Sequence, residues 1–116
     1  MARLERGDIV WVDFDPAVGH EQAGRRPALV ISDADYNAKS AIVLVCPITG
    51  NLKPWPFNHP LGPSGKIKGA VIIDQIKTID KRRIHSPPVD RAGKAVIAAV
   101  QSALLGLIGA APPMQK

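Results

Sequence analysis

Cysteine occurs once in this chain, at Cys46. One thiol excludes an internal disulfide and a four-cysteine zinc site. Its setting, the apolar run Ile42-Val43-Leu44-Val45-Cys46, makes it a small buried hydrophobe rather than a nucleophile. Histidine is nearly as scarce. His20, His59 and His85 are widely separated and fall in neither His-x-x-x-His nor Glu-x-x-His spacing, so they offer no metal centre. The chain lacks a Gly-x-x-x-x-Gly-Lys phosphate loop and a Gly-x-Gly-x-x-Gly turn, which leaves a nucleotide without a cradle. A Gly-x-Ser-x-Gly nucleophile elbow is missing as well. No cofactor is expected. Residues 1–8 alternate in charge and have none of the apolar core of a secretory signal, so a reducing cytoplasm is the expected location. No segment reads as a membrane span: Lys94, Gln101 and Ser102 interrupt the apolar tail, and spanning needs about 20 predominantly apolar residues. Internal repeats and low-complexity stretches are absent.

What is present describes one globular unit. The 116 residues suit a single domain over 1–116. Such a chain buries about two thirds of its unfolded surface and needs no staple. Its 46% apolar and 22% charged content is ordinary for a folded protein. The formal charge of +5 is unevenly spread: residues 1–35 carry seven acids and four bases, residues 36–116 three acids and eleven bases, net −3 against +8. An acidic partner for the later part, nucleic acid or protein, follows from that asymmetry.

Residues 8–15 read as a strand, with Val10, Val12 and Phe14 on one face by the two-residue period. A second strand is predicted over 27–32, with Pro27 at its first position, and a helical turn or simple turn over 33–37. The third strand, 40–46, has no polar alternation, which predicts burial on both faces; Pro47 is expected to stop it. Five prolines and four glycines between Pro47 and Gly69 break any long element, leaving room for short edge strands near Trp55 to His59. Residues 70–73 resume a strand that continues over 75–79. The tail is the one clear helix: Ala92, Ala95, Val96, Ala99, Val100, Ala103, Leu104, Leu107 and Ile108 make an apolar stripe. Asp90 is the expected N-cap, and Gly109, Pro112 and Pro113 end the helix. Ile97, Ala98 and Leu105 extend apolar character to the opposite face. Short strands closed by one helix give an α+β, mainly β fold, a small barrel with a C-terminal helix packed on it.

The chemistry concentrates in Gly19-His20-Glu21-Gln22-Ala23-Gly24-Arg25-Arg26-Pro27. An imidazole, a carboxylate and two guanidinium groups sit between apolar runs, next to glycines that allow tight turns. Forked arginine donors match two phosphate oxygens at once. Without a metal site, the accessible chemistry is a phosphodiester that brings its own nucleophile, the 2′-hydroxyl of RNA. The protein then needs a base, for which Glu21 and His20 are both candidates, and stabilisation of the transition-state charge, which suits Arg26. A hydroxyl donor is available at Thr49, in Pro47-Ile48-Thr49-Gly50. Trp55, in an irregular stretch, can stack on a base, whereas Trp11, inside a strand, is expected to pack.

The opening Gly7-Asp8-Ile9-Val10-Trp11-Val12-Asp13-Phe14-Asp15-Pro16, the loop from Gly19 to Pro27, Pro47-Ile48-Thr49 and Asp74-Gln75-Ile76-Lys77-Thr78-Ile79 resemble the MazF/PemK family of toxin endoribonucleases, over about residues 7–108. The resemblance implies an SH3-like β-barrel with helices and a homodimer. It implies an antitoxin partner with an acidic C-terminal segment, and metal-free cutting of single-stranded mRNA to 2′,3′-cyclic phosphate and 5′-hydroxyl ends. Carried onto this sequence, it makes Arg26, Thr49 and Glu21 catalytic and leaves His20, Gln22, Arg25, Trp55, Gln75 and Lys77 as RNA contacts. Two other readings suit the same features: a gyrase-poisoning toxin of the related CcdB type, and a nucleic-acid-binding module without catalysis.

Overall fold

The computed structural model describes residues 3–109. Seven strands form one curled antiparallel sheet in the order β4-β5-β3-β2-β1-β7, with β6 also on β3. They are β1 (Asp8–Asp13), β2 (Arg25–Val30), β3 (Ile42–Thr49), β4 (Asn58–Pro60), β5 (Ala70–Ile72), β6 (Lys77–Asp80) and β7 (Asp90–Arg91). Helix α1 (Ala34–Lys39) bridges β2 and β3, and α2 (Lys94–Leu107) is the last element of the described residues. This is the small, mainly β barrel with a C-terminal helix that the pattern predicts, and it agrees with the SH3-like barrel that the resemblance implies.

The central strand separates two cores, as its unbroken apolar run predicts. Val43 and Val45 are buried with Val10, Val12, Phe14, Ala28 and Val30 inside the curl of the sheet. Cys46 and Ile48 point the other way, into a core shared with Ile9, Leu29, Val71, Ile73 and Val100 of α2. Period-two alternation sends neighbours to opposite faces, so β3 is buried on both faces from Val45 to Thr49, while nearer its start Ile42 is exposed and Leu44 half-buried.

Pro47 does not stop β3, which runs two residues farther to Thr49. The Leu44 carbonyl accepts from Ile31 N–H at 2.8 Å, so even-numbered residues of β3 face β2 and odd-numbered ones face the opposite edge. On that edge β6 pairs only as far as Lys77 against Val45, and β5 begins at Val71 against Ile48. Pro47 falls in the gap, where no partner needs its missing N–H. The gap is filled by a 3₁₀ turn over Ile73–Gln75, which also breaks the single long strand expected across 70–79.

The N-cap assignment is corrected. Helix α2 starts at Lys94 with Gly93 as its cap, while Asp90 lies in β7 and its carboxylate accepts from Ile67 N–H at 2.9 Å and Arg91 N–H at 2.8 Å. These backbone donors, Ile67 first, lower its pKa. Gly109, at φ 83, stands just beyond the helix as expected, and Pro112 and Pro113 lie outside the described residues. Of the apolar stripe, Val100 is fully buried and Val96 and Leu104 pack partly against the core. Leu105, Leu107 and Ile108 stay exposed beside Ile31, Leu44 and Ile76, around an apolar groove of about 420 Å³.

Candidate catalytic and RNA-binding site

The β1–β2 hairpin positions the charged loop. Phe14 N–H donates to the Gly24 carbonyl at 2.9 Å and closes the hairpin base. Gly19 and Gly24 take φ of 60 and 77, left-handed values that favour glycine. Within the loop, the Glu21 carboxylate accepts from Val18 N–H at 2.8 Å. His20 is exposed, and its carbonyl accepts from the Gln75 amide at 3.2 Å.

Arg26 follows in β2, opposite Val12. Its Nε donates to the Ala23 carbonyl at 2.8 Å, which orients the guanidinium at the loop's end. Among the described residues it has no ion pair with Asp15 or Glu21. Arg25 is exposed opposite Asp13.

The β2–β3 register pairs Ala28 with Pro47. That is the last pair: Arg26 lies two residues before Ala28 on β2 and Thr49 two residues beyond Pro47 on β3, both past the paired stretch. Thr49 ends β3, only 7% exposed, and its hydroxyl accepts from Asn51 N–H at 3.1 Å. No hydrogen bond joins the two side chains among the described residues.

Two cavities meet at this end of the sheet. One, of about 210 Å³, has Thr49, Asn51, Lys53, Trp55 and Asn58 in its walls. The other, of about 180 Å³, takes in Phe14, Glu21, Pro47 and Lys77. Gln22, Asp74 and Gln75 line both. Thr49, Trp55, Gln22 and Gln75 are thus brought together, with Glu21 and Lys77 next door. Arg26, Arg25 and His20 line neither cavity.

Trp55 is 51% exposed, with its indole N–H donating to the Asp74 carboxylate at 3.0 Å and its ring tilted against Phe57 at 5.9 Å. A half-exposed ring held at its polar edge is a ready stacking surface. Trp11 is only half-buried, in β1. The basic stretch after Lys77 divides: Arg82 is held by Asp80 at 2.9 Å, an exposed pair that lowers the Asp80 carboxyl to about 2, and Arg83 donates to the carbonyls of Asp13 and Asp15. Asp74, Asn51 and Asn58 were not legible as site residues. The signal available was Asp74's place beside Gln75 in the Asp-Gln-x-Lys run.

Residues 5–108 match the family described as PemK-like, MazF-like toxin of type II toxin–antitoxin system. The chain is 42% identical over 111 residues to the endoribonuclease toxin ChpB of Escherichia coli (strain K12), covering 91% of this chain and 92% of that one. The fold superposes on the crystal structure of MazF from Deinococcus radiodurans with a TM-score of 0.88 at 36% identity, over 94% of this chain and 99% of that one. A MazE–MazF complex from the same organism matches with a TM-score of 0.82 at 36% identity, over 94% and 98%.

Proposed function

The chain belongs to the PemK-like, MazF-like toxins of type II toxin–antitoxin systems, and from that membership we propose that it is a metal-independent endoribonuclease acting on single-stranded RNA. The observation that supports the reading is the pair of adjoining cavities at the end of β3, whose walls hold Thr49, Trp55, Glu21 and Lys77, with Arg26 at the loop's exit into β2.

The reaction is a transesterification followed by release. The ribose 2′-oxygen attacks the adjacent phosphorus and loses its proton to Glu21; the phosphorus–5′-oxygen bond breaks, and the leaving oxygen takes a proton from solvent. A 2′,3′-cyclic phosphate and a free 5′-hydroxyl result. Glu21 is favoured over His20 as base because its residue lines a cavity and the His20 residue does not. Arg26 neutralises the charge building on the phosphoryl oxygens and stays protonated throughout. The Thr49 hydroxyl donates to a phosphoryl oxygen, and Trp55 stacks on a flanking base. The ribose supplies the nucleophile, so no metal ion is required.

The partners follow from the family and from the exposed surfaces. A homodimer, and an antitoxin bringing an acidic segment to the basic part of the chain, cover the apolar groove beside Leu105, Leu107 and Ile108. No helix of the described residues is long and apolar enough to cross a membrane, and the cytoplasm, where mRNA is translated, is the proposed site of action.

The test is incubation of purified protein with single-stranded RNA in EDTA. Discrete fragments with cyclic-phosphate and 5′-hydroxyl ends are expected. Intact RNA overturns the reading, and trapped cleaved DNA in a gyrase assay would replace it with topoisomerase poisoning.

A further inference from the structure

The loop between β1 and β2 is well fastened at its base and sparsely fastened beyond it. At the base, Gly24 N–H donates to the Asp15 carboxylate at 2.8 Å, and Arg83 holds the carbonyls of Asp13 and Asp15. Farther out, the loop holds itself through Val18 and Glu21, by a 3.2 Å backbone bond and the 2.8 Å carboxylate bond already described. Among the described hydrogen bonds, two side chains from outside the loop reach it beyond the base: Arg26, next along the chain in β2, donates to the Ala23 carbonyl, and Gln75, distant in sequence, holds the stretch around residue 21. The Oε1 of Gln75 accepts from Gln22 N–H at 2.8 Å, and its Nε2 donates to the His20 carbonyl at 3.2 Å.

We propose that Gln75 is a positioning residue, a planar clamp that sets the catalytic loop rather than a contact to RNA. The proposal rests on the nuclease reading for its consequence but not for its geometry. A primary amide presents one acceptor and donors in one plane. The His20 carbonyl and Gln22 N–H flank residue 21, so the amide binds them as a neighbouring strand's peptide would. The residue straddled is Glu21, the proposed base. Gln22, held by the same bond, becomes the shared wall of the two cavities. The clamp itself is anchored: Gln75 ends the 3₁₀ turn that starts at the buried Ile73, and Ile76 N–H donates back to the Ile73 carbonyl at 3.2 Å. An acid or an aliphatic side chain here cannot serve both bonds at neutral pH. Glutamate keeps the acceptor for Gln22 but sets a second acceptor against the His20 carbonyl.

Wild type, Gln75→Ala and Gln75→Glu are to be compared by steady-state cleavage of single-stranded RNA and by amide hydrogen exchange at Gln22. Misplacing a base by an ångström costs up to about 100-fold, so Gln75→Ala should lower kcat by roughly 10- to 100-fold with KM within about threefold, and Gln75→Glu should fall between. The Gln22 amide should exchange several-fold faster in Gln75→Ala, with Phe14 at the hairpin base unchanged. A raised KM at unchanged kcat would make Gln75 an RNA contact and overturn the proposal, as would unaltered exchange at Gln22. If wild type leaves RNA intact, the nuclease reading fails by itself, and the exchange measurement still decides the clamp.

Discussion

The carbonyl oxygen of Thr49 occupies the space that a side chain on residue 69 would need. A Cβ built on Gly69 would overlap that oxygen. Gly69 has φ 128, a conformation that other residues rarely adopt, and it precedes Ala70, the residue paired with Thr49. Gly69→Ala should therefore cost about 1–3 kcal/mol in backbone strain alone, and more through the clash. Because the displaced group is Thr49's own peptide, RNA cleavage should fall with stability. Urea unfolding and a cleavage assay on the same preparation check this, and a variant as stable and active as wild type would refute the contact.

Arg26 and Thr49 act on the phosphate in the proposed reaction, and their substitutions should separate chemistry from folding. Arg26→Ala removes charge stabilisation worth roughly 100-fold or more in cleavage rate, while giving up one exposed hydrogen bond to Ala23. Thr49→Val keeps the shape but loses the acceptor for Asn51 N–H, costing about 1 kcal/mol, and should also slow cleavage; Thr49→Ser should restore most of it. Thermal melts beside single-turnover rates make the distinction. A folded Arg26→Ala protein cutting at near the wild-type rate would remove Arg26 from the mechanism.

The sequence made Arg26 and Thr49 legible as residue types, and the lack of alternation in β3 made its two buried faces legible. What linked them was not. The expected stop at Pro47 would have left Thr49 in a loop; only the opposing strands show that a proline at this place loses no partner. Asp90 before a helical stripe satisfies every local rule for an N-cap, yet a contact with Ile67, 23 residues away, claims its carboxylate. Gln75 likewise reads as one polar residue in a motif until the fold brings His20 and Gln22 to it. Local pattern fixes which elements form, and long-range pairing decides which side chains are free for chemistry.

Trp55 should report binding apart from catalysis. Stacking on one base contributes about 1–3 kcal/mol, so Trp55→Ala should weaken binding of an oligonucleotide blocked by 2′-deoxyribose at the cut site by roughly tenfold. The ring is 51% exposed, so the barrel should lose little stability. Asp74→Ala frees the indole N–H that it holds at 3.0 Å and should give a smaller loss of affinity. Tryptophan fluorescence follows both, and unchanged affinity in Trp55→Ala would mean that no base stacks there.

Cys46 is fully buried between Leu29, Ile48 and Ile73, with its Sγ 3.9 Å from the Ile73 carbonyl. Burial first, and the charge of Asp74 second, push the thiol up from 9.0 to about 12. In the unfolded chain the thiol ionises near 9.0, while the native state keeps its proton to about 12. Across that window the unfolded state binds fewer protons, so native stability falls as pH rises, by on the order of 1 kcal/mol per unit for this one group. Below the window the thiol is neutral in both states and its contribution is fully retained. Cys46→Val preserves an apolar side chain of similar size and removes the titration. Wild type should therefore lose stability more steeply than Cys46→Val between about pH 9 and 11 in urea unfolding, and the native thiol should resist alkylation until the chain opens. Parallel pH profiles, or rapid labelling of the folded protein, would show that this thiol is solvated and not part of the core.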